Sequence, residues 1–154
     1  MNLRPGTPDD VAALDAIALA AKAHWGYSTE QLQAWDADLR VRQESLACWP
    51  ICVAELDGRP IGFAQLATDR HPWELEALWV RPDHMGKGVG KALVLWASRV
   101  AAANGQAELA IDSDPNAANF YRAQGARLVG VVPAPISCDP LRVRPQLRLV
   151  ASAA

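Results

Sequence analysis

The feature that most constrains this chain is a glycine-rich segment between a short apolar stretch and an amphipathic one. Residues 75–80, LEALWV, are apolar and β-prone, which predicts a buried strand. After Pro82, which cannot donate a ladder hydrogen bond, the pattern G-x-G-x-G over residues 86–90 precedes apolar residues at helical spacing. Such a turn exposes backbone N–H groups at a helix start, where the helix dipole favours negative charge. The segment therefore predicts binding of a phosphate or pyrophosphate.

Two common phosphate-binding motifs do not fit this segment. The dinucleotide motif G-x-G-x-x-G needs its third glycine where Lys91 stands. The P-loop motif G-x-x-x-x-G-K-[ST] cannot be written across the segment. A glycine turn that only caps a helix explains the segment by itself as well as a binding site does. The rest of the chain has to decide between these two interpretations.

Composition and charge exclude several classes of protein. A chain of 154 residues suggests a single domain over residues 1–154, with room for a sizeable core. No window approaches the ~18 uninterrupted apolar residues of a membrane span, and the start lacks the apolar core of a signal peptide. A net charge of −2 without a basic run argues against a nucleic-acid surface. The three cysteines have no metal-ligand spacing, and no zinc or magnesium constellation is visible. We expect a soluble cytoplasmic protein that binds neither nucleic acid nor membrane, with no metal site.

Start and stop signals along the chain predict helices between strands. Thr7-Pro8 and Ser28 are typical of helix starts, and Asp57-Gly58 is typical of a hairpin turn between strands 51–56 and 60–67. Asp114-Pro115 repeats the cap-and-proline pattern and predicts a helix that Gly125 ends. Further strands are predicted over residues 2–4, 107–112, 127–132 and 146–150. This mixed order indicates an α/β layer around one sheet.

Two distant motifs resemble those of the GCN5-related N-acetyltransferases (GNAT). Residues 85–90, MGKGVG, resemble motif A, [QR]-x-x-G-x-[GA], and residues 114–126, DPNAANFYRAQGA, resemble motif B, N-x-x-A-x-x-F-Y-x-x-x-G-F. Met85 and Ala126 depart from the usual residues of those motifs. The predicted element order also agrees with that family. The resemblance implies an α/β (α+β) acyl-CoA N-acyltransferase fold, with a mixed, mostly antiparallel twisted sheet of six or seven strands and about four flanking helices.

In that family the glycine turn holds the pyrophosphate of acetyl-CoA, so the resemblance implies acetyl-CoA as co-substrate. Met85 lacks the side-chain donor of the usual Arg or Gln, and each charge-assisted hydrogen bond contributes roughly 1.5–3 kcal/mol, so a weaker affinity is expected. Lys87 and Lys91 could supply charge instead. The implied cofactor-binding residues come from the strand end, the turn and motif B, and they are Leu78, Trp79, Val80, Met85, Gly86, Lys87, Gly88, Val89, Gly90, Lys91, Asp114, Asn116, Ala117 and Phe120.

The resemblance also implies catalytic groups. Tyr121 is the candidate acid for the departing thiolate, with a core aromatic as the alternative. Glu74 and Glu76 are the candidate bases, because alternation along a strand places both on the face that residues 78 and 80 share. A solvated strand end is the alternative for Glu74. The Val80 N–H would face the thioester oxygen and stabilise its developing charge.

The acceptor is the least determined part of the prediction. Trp25 and Tyr27 lie between the first two helices, where the family forms one wall of the acceptor site, although packing on the core explains them equally well. We expect transfer of the acetyl group to a primary amine of a small molecule or peptide, directly in a ternary complex. A non-catalytic acyl-CoA-binding regulatory module of the same fold is the alternative, and a nucleotide-binding protein is a second one. A homodimer is left open.

Overall fold

A single sheet of seven strands and five α-helices make up residues 1–153, the part of the chain that the computed structural model describes. The strand order is β1-β2-β3-β4-β5-β7-β6. The β4–β5 pair is parallel, whereas β1–β2, β2–β3, β5–β7 and β6–β7 are antiparallel. The elements in chain order are β1 (Asn2–Pro5), α1 (Val11–Ala23), α2 (Thr29–Leu39), α3 (Gln43–Cys48), β2 (Ile51–Leu56), β3 (Arg59–Ala67), β4 (Glu74–Val80), α4 (Val89–Ala103), β5 (Glu108–Asp112), α5 (Ala118–Ala123), β6 (Arg127–Pro133) and β7 (Val143–Val150).

The predicted mixed, mostly antiparallel sheet is confirmed. The predicted helix start at Ser28 and the predicted hairpin turn at Asp57-Gly58 are confirmed too. The Ser28 hydroxyl accepts from the Gln31 amide at 3.1 Å and starts α2. The Asp10 carboxylate accepts from the Thr7 amide at 2.8 Å, and a short 3-10 turn then leads into α1. Asp57 and Gly58 both have positive φ, 52° and 76°, as a tight hairpin turn requires.

Two details differ from the sequence prediction. Helix α3 was not predicted, because it has only six residues and its N-cap, Arg42, makes no side-chain capping bond. The predicted helix start at Asp114-Pro115 was wrong, since α5 begins at Ala118. The Asp114 carboxylate instead accepts from the Asn116 amide at 2.8 Å, so it forms a turn ahead of the helix. The five helices therefore exceed the predicted four by α3, counted over residues 1–153.

Two compact units can be distinguished, and each has its own buried residues. The first comprises Met1–Leu66 and Ala77–Val94, and the second comprises Ala67–Glu76 and residues 95–153. The core of the first contains Leu14, Ile17, Ala18, Ile51, Val53 and Phe63, with Trp79 packed against it. In the second, the buried residues of β5 pair with those of β7, as Leu109 with Leu149 and Ile111 with Leu147. A single domain over residues 1–154 stays a prediction. Within residues 1–153 no helix combines the length and the apolar composition that crossing a bilayer requires.

Arg4 of the first strand is bound to Asp10 at the start of α1, and we expect this pair to stabilise the fold. The Arg4 guanidinium donates to both oxygens of the Asp10 carboxylate at 2.8 Å, which lowers the pKa of Asp10 from 3.8 to about 2. Asp10→Asn should lower the free energy of unfolding at pH 7 by about 1.5–3 kcal/mol, the usual contribution of a hydrogen bond to a charged group.

The same pair predicts a pH dependence that urea denaturation can measure. Asp10 has a lower pKa when folded, so its contribution is complete above pH 4 and is lost as the pH falls towards 2. The difference between wild type and Asp10→Asn should therefore shrink over that range. Asp9→Asn, which changes the exposed neighbouring carboxylate, is the control and should cost little. A difference that stays constant from pH 7 to pH 2.5 would contradict the assignment.

Candidate active site

The glycine turn before α4 has two glycines in the left-handed region with open space beside them. Gly86 and Gly88 have φ of +73° and +86°, a region that side chains rarely adopt, and no atom lies within 4 Å of where a Cβ would stand on either. Both glycines are exposed. The first helical hydrogen bond of α4 runs from the Ala92 amide to Gly88 O at 3.1 Å. The amides of the residues just before Ala92 therefore have no acceptor within the helix. The turn offers open N–H groups at a helix start.

The residues that flank the turn hold it against the end of β4 in the first unit. Val89 is buried, whereas Lys87 and Lys91 are exposed and Met85 is half-buried. A Cβ at Gly62 of β3 would lie 2.9 Å from Trp79 O and 3.1 Å from Val89 Cγ1, so only glycine fits there without movement. The Arg81 amide donates to Ile61 O at 2.8 Å immediately after β4. Gly62 therefore lets the strand end and the helix start approach β3 closely, a role that the sequence pattern did not indicate.

Glu74 and Glu76, the predicted bases, share one partner that the sequence analysis missed. Arg70 Nη1 lies 2.8 Å from Glu74 Oε2 and 3.5 Å from Glu76 Oε2, and Arg70 Nε lies 3.1 Å from Asp69 Oδ1. One guanidinium reaches both glutamates, which agrees with the predicted shared face of β4. The hydrogen bond to Glu74 is the main cause of a raised pKa for Arg70.

Tyr121, the predicted acid, combines a buried ring with an available hydroxyl. The residue is 8% exposed, and its ring contacts Phe120 edge to face with centroids 5.2 Å apart. Within residues 1–153 no group hydrogen-bonds to the hydroxyl, yet no fully buried side-chain oxygen or nitrogen there lacks a partner. The hydroxyl oxygen must therefore keep some accessible surface. Burial, with a smaller contribution from the Asp114 charge, raises the pKa of Tyr121 above its usual 10, so the hydroxyl is protonated at neutral pH.

The raised pKa predicts a loss of stability in alkali that Tyr121→Phe should lack. Above about pH 10 the unfolded tyrosine ionises while the folded one keeps its proton. The unfolded state then gains stability, so the free energy of unfolding of the wild type should fall as the pH rises from 9 to 11. Urea denaturation of both proteins across that range measures the difference, and parallel curves would contradict the raised pKa of Tyr121.

Asp114, at the start of motif B, is held within the protein in the second unit. Its carboxylate accepts from the Asn116 amide at 2.8 Å and from Asn116 Nδ2 at 2.9 Å. Arg142 Nη2 lies 3.3 Å from the other carboxylate oxygen, and the side chains of Arg142 and Asp114 are each 5% exposed. The Ala117 amide donates to Asp114 O at 3.0 Å. Asp114 therefore orders the turn before α5, and the cofactor-binding role of residues 114, 116, 117 and 120 stays a prediction.

Trp25 and Tyr27, the predicted acceptor residues, lie in one aromatic cluster of the first unit. The Trp25 and Trp79 ring centroids are 6.1 Å apart, and the Tyr27 ring meets Trp35 edge to face at 4.8 Å. The Lys22 ammonium lies among all four rings, 4.5 Å from the Trp35 centroid, 5.2 Å from that of Tyr27 and 5.9 Å from those of Trp25 and Trp79. We call these four rings the aromatic cage.

A family model defines the class of protein to which this fold and these motifs belong. Residues 12–126 match the model of the Acetyltransferase (GNAT) family. The chain therefore belongs to the GNAT family of acetyltransferases. It is accordingly an acyltransferase with acetyl-CoA as co-substrate. None of the curated proteins matches the chain in sequence.

Solved structures agree with this assignment at the level of the fold. A GCN5-related N-acetyltransferase from Rhodopseudomonas palustris is 28% identical, with a TM-score of 0.80 over 97% of this chain and 94% of that one. The PaiA N-acetyltransferase from Thermoplasma acidophilum, solved with coenzyme A, is 20% identical with a TM-score of 0.75 over 97% and 98% of the two chains. YncA from Salmonella typhimurium, solved with its cofactor acetyl-CoA, is 21% identical with a TM-score of 0.73 over 99% and 94%.

Proposed function

We propose that the chain transfers the acetyl group of acetyl-CoA directly to a primary amine of a small molecule or peptide, in a ternary complex. The observation that carries this proposal is the open, left-handed turn at Gly86 and Gly88, ahead of the α4 ladder. A diphosphate needs several N–H donors, and the absence of Cβ atoms at Gly86 and Gly88 leaves room for it to approach the backbone of the turn. The exposed Lys87 and Lys91 add positive charge that compensates for the missing Arg or Gln at Met85.

Each chemical step of this transfer has a candidate group. The neutral amine attacks the thioester carbonyl carbon, and the Val80 N–H stabilises the oxygen that becomes negative. The carbon–sulfur bond then breaks, and the thiolate takes the proton of the Tyr121 hydroxyl. The attacking nitrogen loses one of its two protons as the amide forms, and that proton, passed through solvent, restores the Tyr121 hydroxyl. Glu76 or Glu74 accepts, through a water molecule, the proton that the acceptor ammonium must lose. The products are an acetylated amine and free CoA.

A non-catalytic acyl-CoA-binding module is the second candidate, and Met85 is the observation that favours it. Two measurements separate the candidates: calorimetry of acetyl-CoA binding, and thiol release with a panel of amines. Binding together with thiol release supports the acetyltransferase. Binding without release from any amine supports the module, and competition by ATP or NAD would indicate a nucleotide-binding protein. The predicted cytoplasmic location and the homodimer stay predictions.

The base can be identified from the pH dependence of kcat/KM for the variants Glu76→Gln and Glu74→Gln. Loss of a general base lowers the rate by ~10²–10⁴-fold, and it removes the acidic limb of the profile, since that limb reports protonation of the base. The control is Glu108→Gln, which removes another strand carboxylate that is paired with an arginine, Arg127. That variant should keep the wild-type profile. An unchanged acidic limb in both Glu76→Gln and Glu74→Gln would assign proton removal to water.

A further inference from the structure

We propose that the aromatic cage of Trp25, Tyr27, Trp35 and Trp79 binds a fixed positive charge of the acceptor, in competition with the Lys22 ammonium. The inference rests on the proposed function and names its substrate class. The acceptor is an amine that carries a second cationic centre, as diamines, polyamines and basic peptides do. The cage selects this class over amines of the same length without the second charge.

The first ground is that the cage already holds an ammonium. All four ring centroids lie between 4.5 and 5.9 Å from Lys22 Nζ, within the ~6 Å over which a ring face attracts a cation. Significant cation–π contacts occur roughly once per 70–80 residues, so four rings around one nitrogen is a dense concentration. The cage therefore has the composition and the dimensions of a site for an organic cation.

The second ground is that the rings are positioned by contacts other than those with the ammonium. Trp79 belongs to β4 and packs against the core of the first unit, and Trp25 lies against Trp79. Trp35 belongs to α2, and it meets Tyr27 edge to face. The walls of the cage are thus two ring pairs fixed by packing. A different cation of similar size could use the same walls.

The third ground is that the site is open enough for exchange. Lys22, Trp25, Tyr27, Trp35 and Trp79 are all half-buried, so each keeps one side in solvent. A lysine has a flexible four-carbon stem and a strongly hydrated head, so its ammonium can exchange between the rings and water. An incoming quaternary ammonium has no N–H donors and is less strongly hydrated than the Lys22 ammonium, so it loses less on entering the cage. Lys22 is therefore a resident cation that a ligand can displace.

The chemistry of acetyl transfer then decides which nitrogen the cage takes. The nitrogen that attacks the thioester must be neutral, because a protonated amine has no lone pair. A ring cage stabilises the protonated form and would suppress the attack of any amine that it held. The caged nitrogen must therefore be a different one from the acetylated nitrogen, which requires an acceptor with at least two basic or charged centres.

A series of ω-aminoalkyl-trimethylammonium compounds of increasing chain length tests this specificity. Their quaternary nitrogen has a permanent charge and cannot be acetylated, and the matched neutral compounds carry a tert-butyl group in its place. At constant ionic strength, the best charged compound should exceed its neutral match in kcat/KM by about tenfold, the scale of a desolvated cation–π contact. An equal kcat/KM for every matched pair would overturn the proposal while leaving the acetyltransferase intact.

Two variants probe the cage itself. Trp35→Leu removes the ring nearest the ammonium, and the ratio between charged and neutral acceptors should fall towards one. Lys22→Met removes the resident charge but keeps the apolar stem, so the KM for charged acceptors should fall about tenfold. A gain in affinity cannot arise from misfolding, so Lys22→Met keeps the test valid even where Trp35→Leu is unstable. The control is Arg99→Met, which removes an exposed positive charge of α4 and should leave the ratio unchanged.

A binding measurement separates this proposal from the proposed function. Tetramethylammonium chloride should alter the tryptophan fluorescence of Lys22→Met more than sodium chloride does, and Trp35→Leu should abolish the difference. If no amine is acetylated but this response is present, the cage is a cation site and the transferase proposal fails. If amines are acetylated and the response is absent, the cage proposal fails and the transferase stands. If neither is seen, both proposals fall.

Discussion

Gly88→Val should lower the affinity for acetyl-CoA by a hundredfold or more. A β-branched residue cannot adopt the φ of +86° found at Gly88 without strain, so the turn must rearrange and the amides on both sides must change direction. Two lost hydrogen bonds to a charged phosphate, at roughly 1.5–3 kcal/mol each, correspond to about 10²–10⁴ in affinity. Calorimetric titration with acetyl-CoA measures the change directly.

The other end of α4 supplies the matched control. Gly105 has φ of +75° and no atom within 4 Å of where a Cβ would stand, so Gly105→Val introduces the same backbone strain in equally open space. Both variants should lose about 1–2 kcal/mol of unfolding free energy from that strain. Only Gly88→Val should lose acetyl-CoA affinity. Equal affinities of the two variants would show that the turn is a helix start alone, which is the alternative that the sequence left open.

The elements that could be predicted from sequence are those whose signal and partner are close together in the chain. Ser28 and Gln31 are three residues apart, and their hydrogen bond starts α2 where the pattern placed it. Asp57 and Gly58 adopt the positive φ of the hairpin turn because of their own residue types, without a distant contact. Asp114 shows the limit of such signals, since its carboxylate bonds two residues ahead and forms a turn where the cap pattern had predicted a helix.

The contacts of the candidate site that were missed are set by tertiary packing, including some between residues that are close in the chain. Trp25 and Tyr27 were identified from their place between two helices, but Lys22 and Trp35 were not. Trp79 was predicted as a cofactor-binding residue, and its contact with these side chains arises only through the packing of α1, α2 and β4. Arg142 donates to Asp114, although 28 residues separate them in the chain. Arg142 lies in a proline-rich stretch that has no periodic pattern. No local pattern carries such contacts, because they are set by tertiary packing.

Tyr121→Phe should lower kcat by ~10²–10⁴-fold, the usual contribution of a general acid, and leave the affinity for acetyl-CoA unchanged. The variant keeps the buried ring and its contact with Phe120, and removes only a hydroxyl that no other group in residues 1–153 bonds. The fold therefore loses no internal hydrogen bond, and we expect the free energy of unfolding at pH 7 to stay within about 0.5 kcal/mol of the wild type. Pre-steady-state thiol release and calorimetry give the two quantities separately.

This combination of results distinguishes catalysis from packing, the two interpretations of Tyr121. A purely packed aromatic would leave kcat unchanged in Tyr121→Phe, because phenylalanine keeps the ring and its contact with Phe120. A proton donor to the thiolate shows its effect in turnover only, because the ground-state complex with acetyl-CoA needs no proton transfer. The raised pKa keeps the proton on Tyr121 in the resting enzyme, so the hydroxyl is present as a donor when the thiolate forms. A variant with wild-type kcat would thus leave the thiolate to be protonated by water.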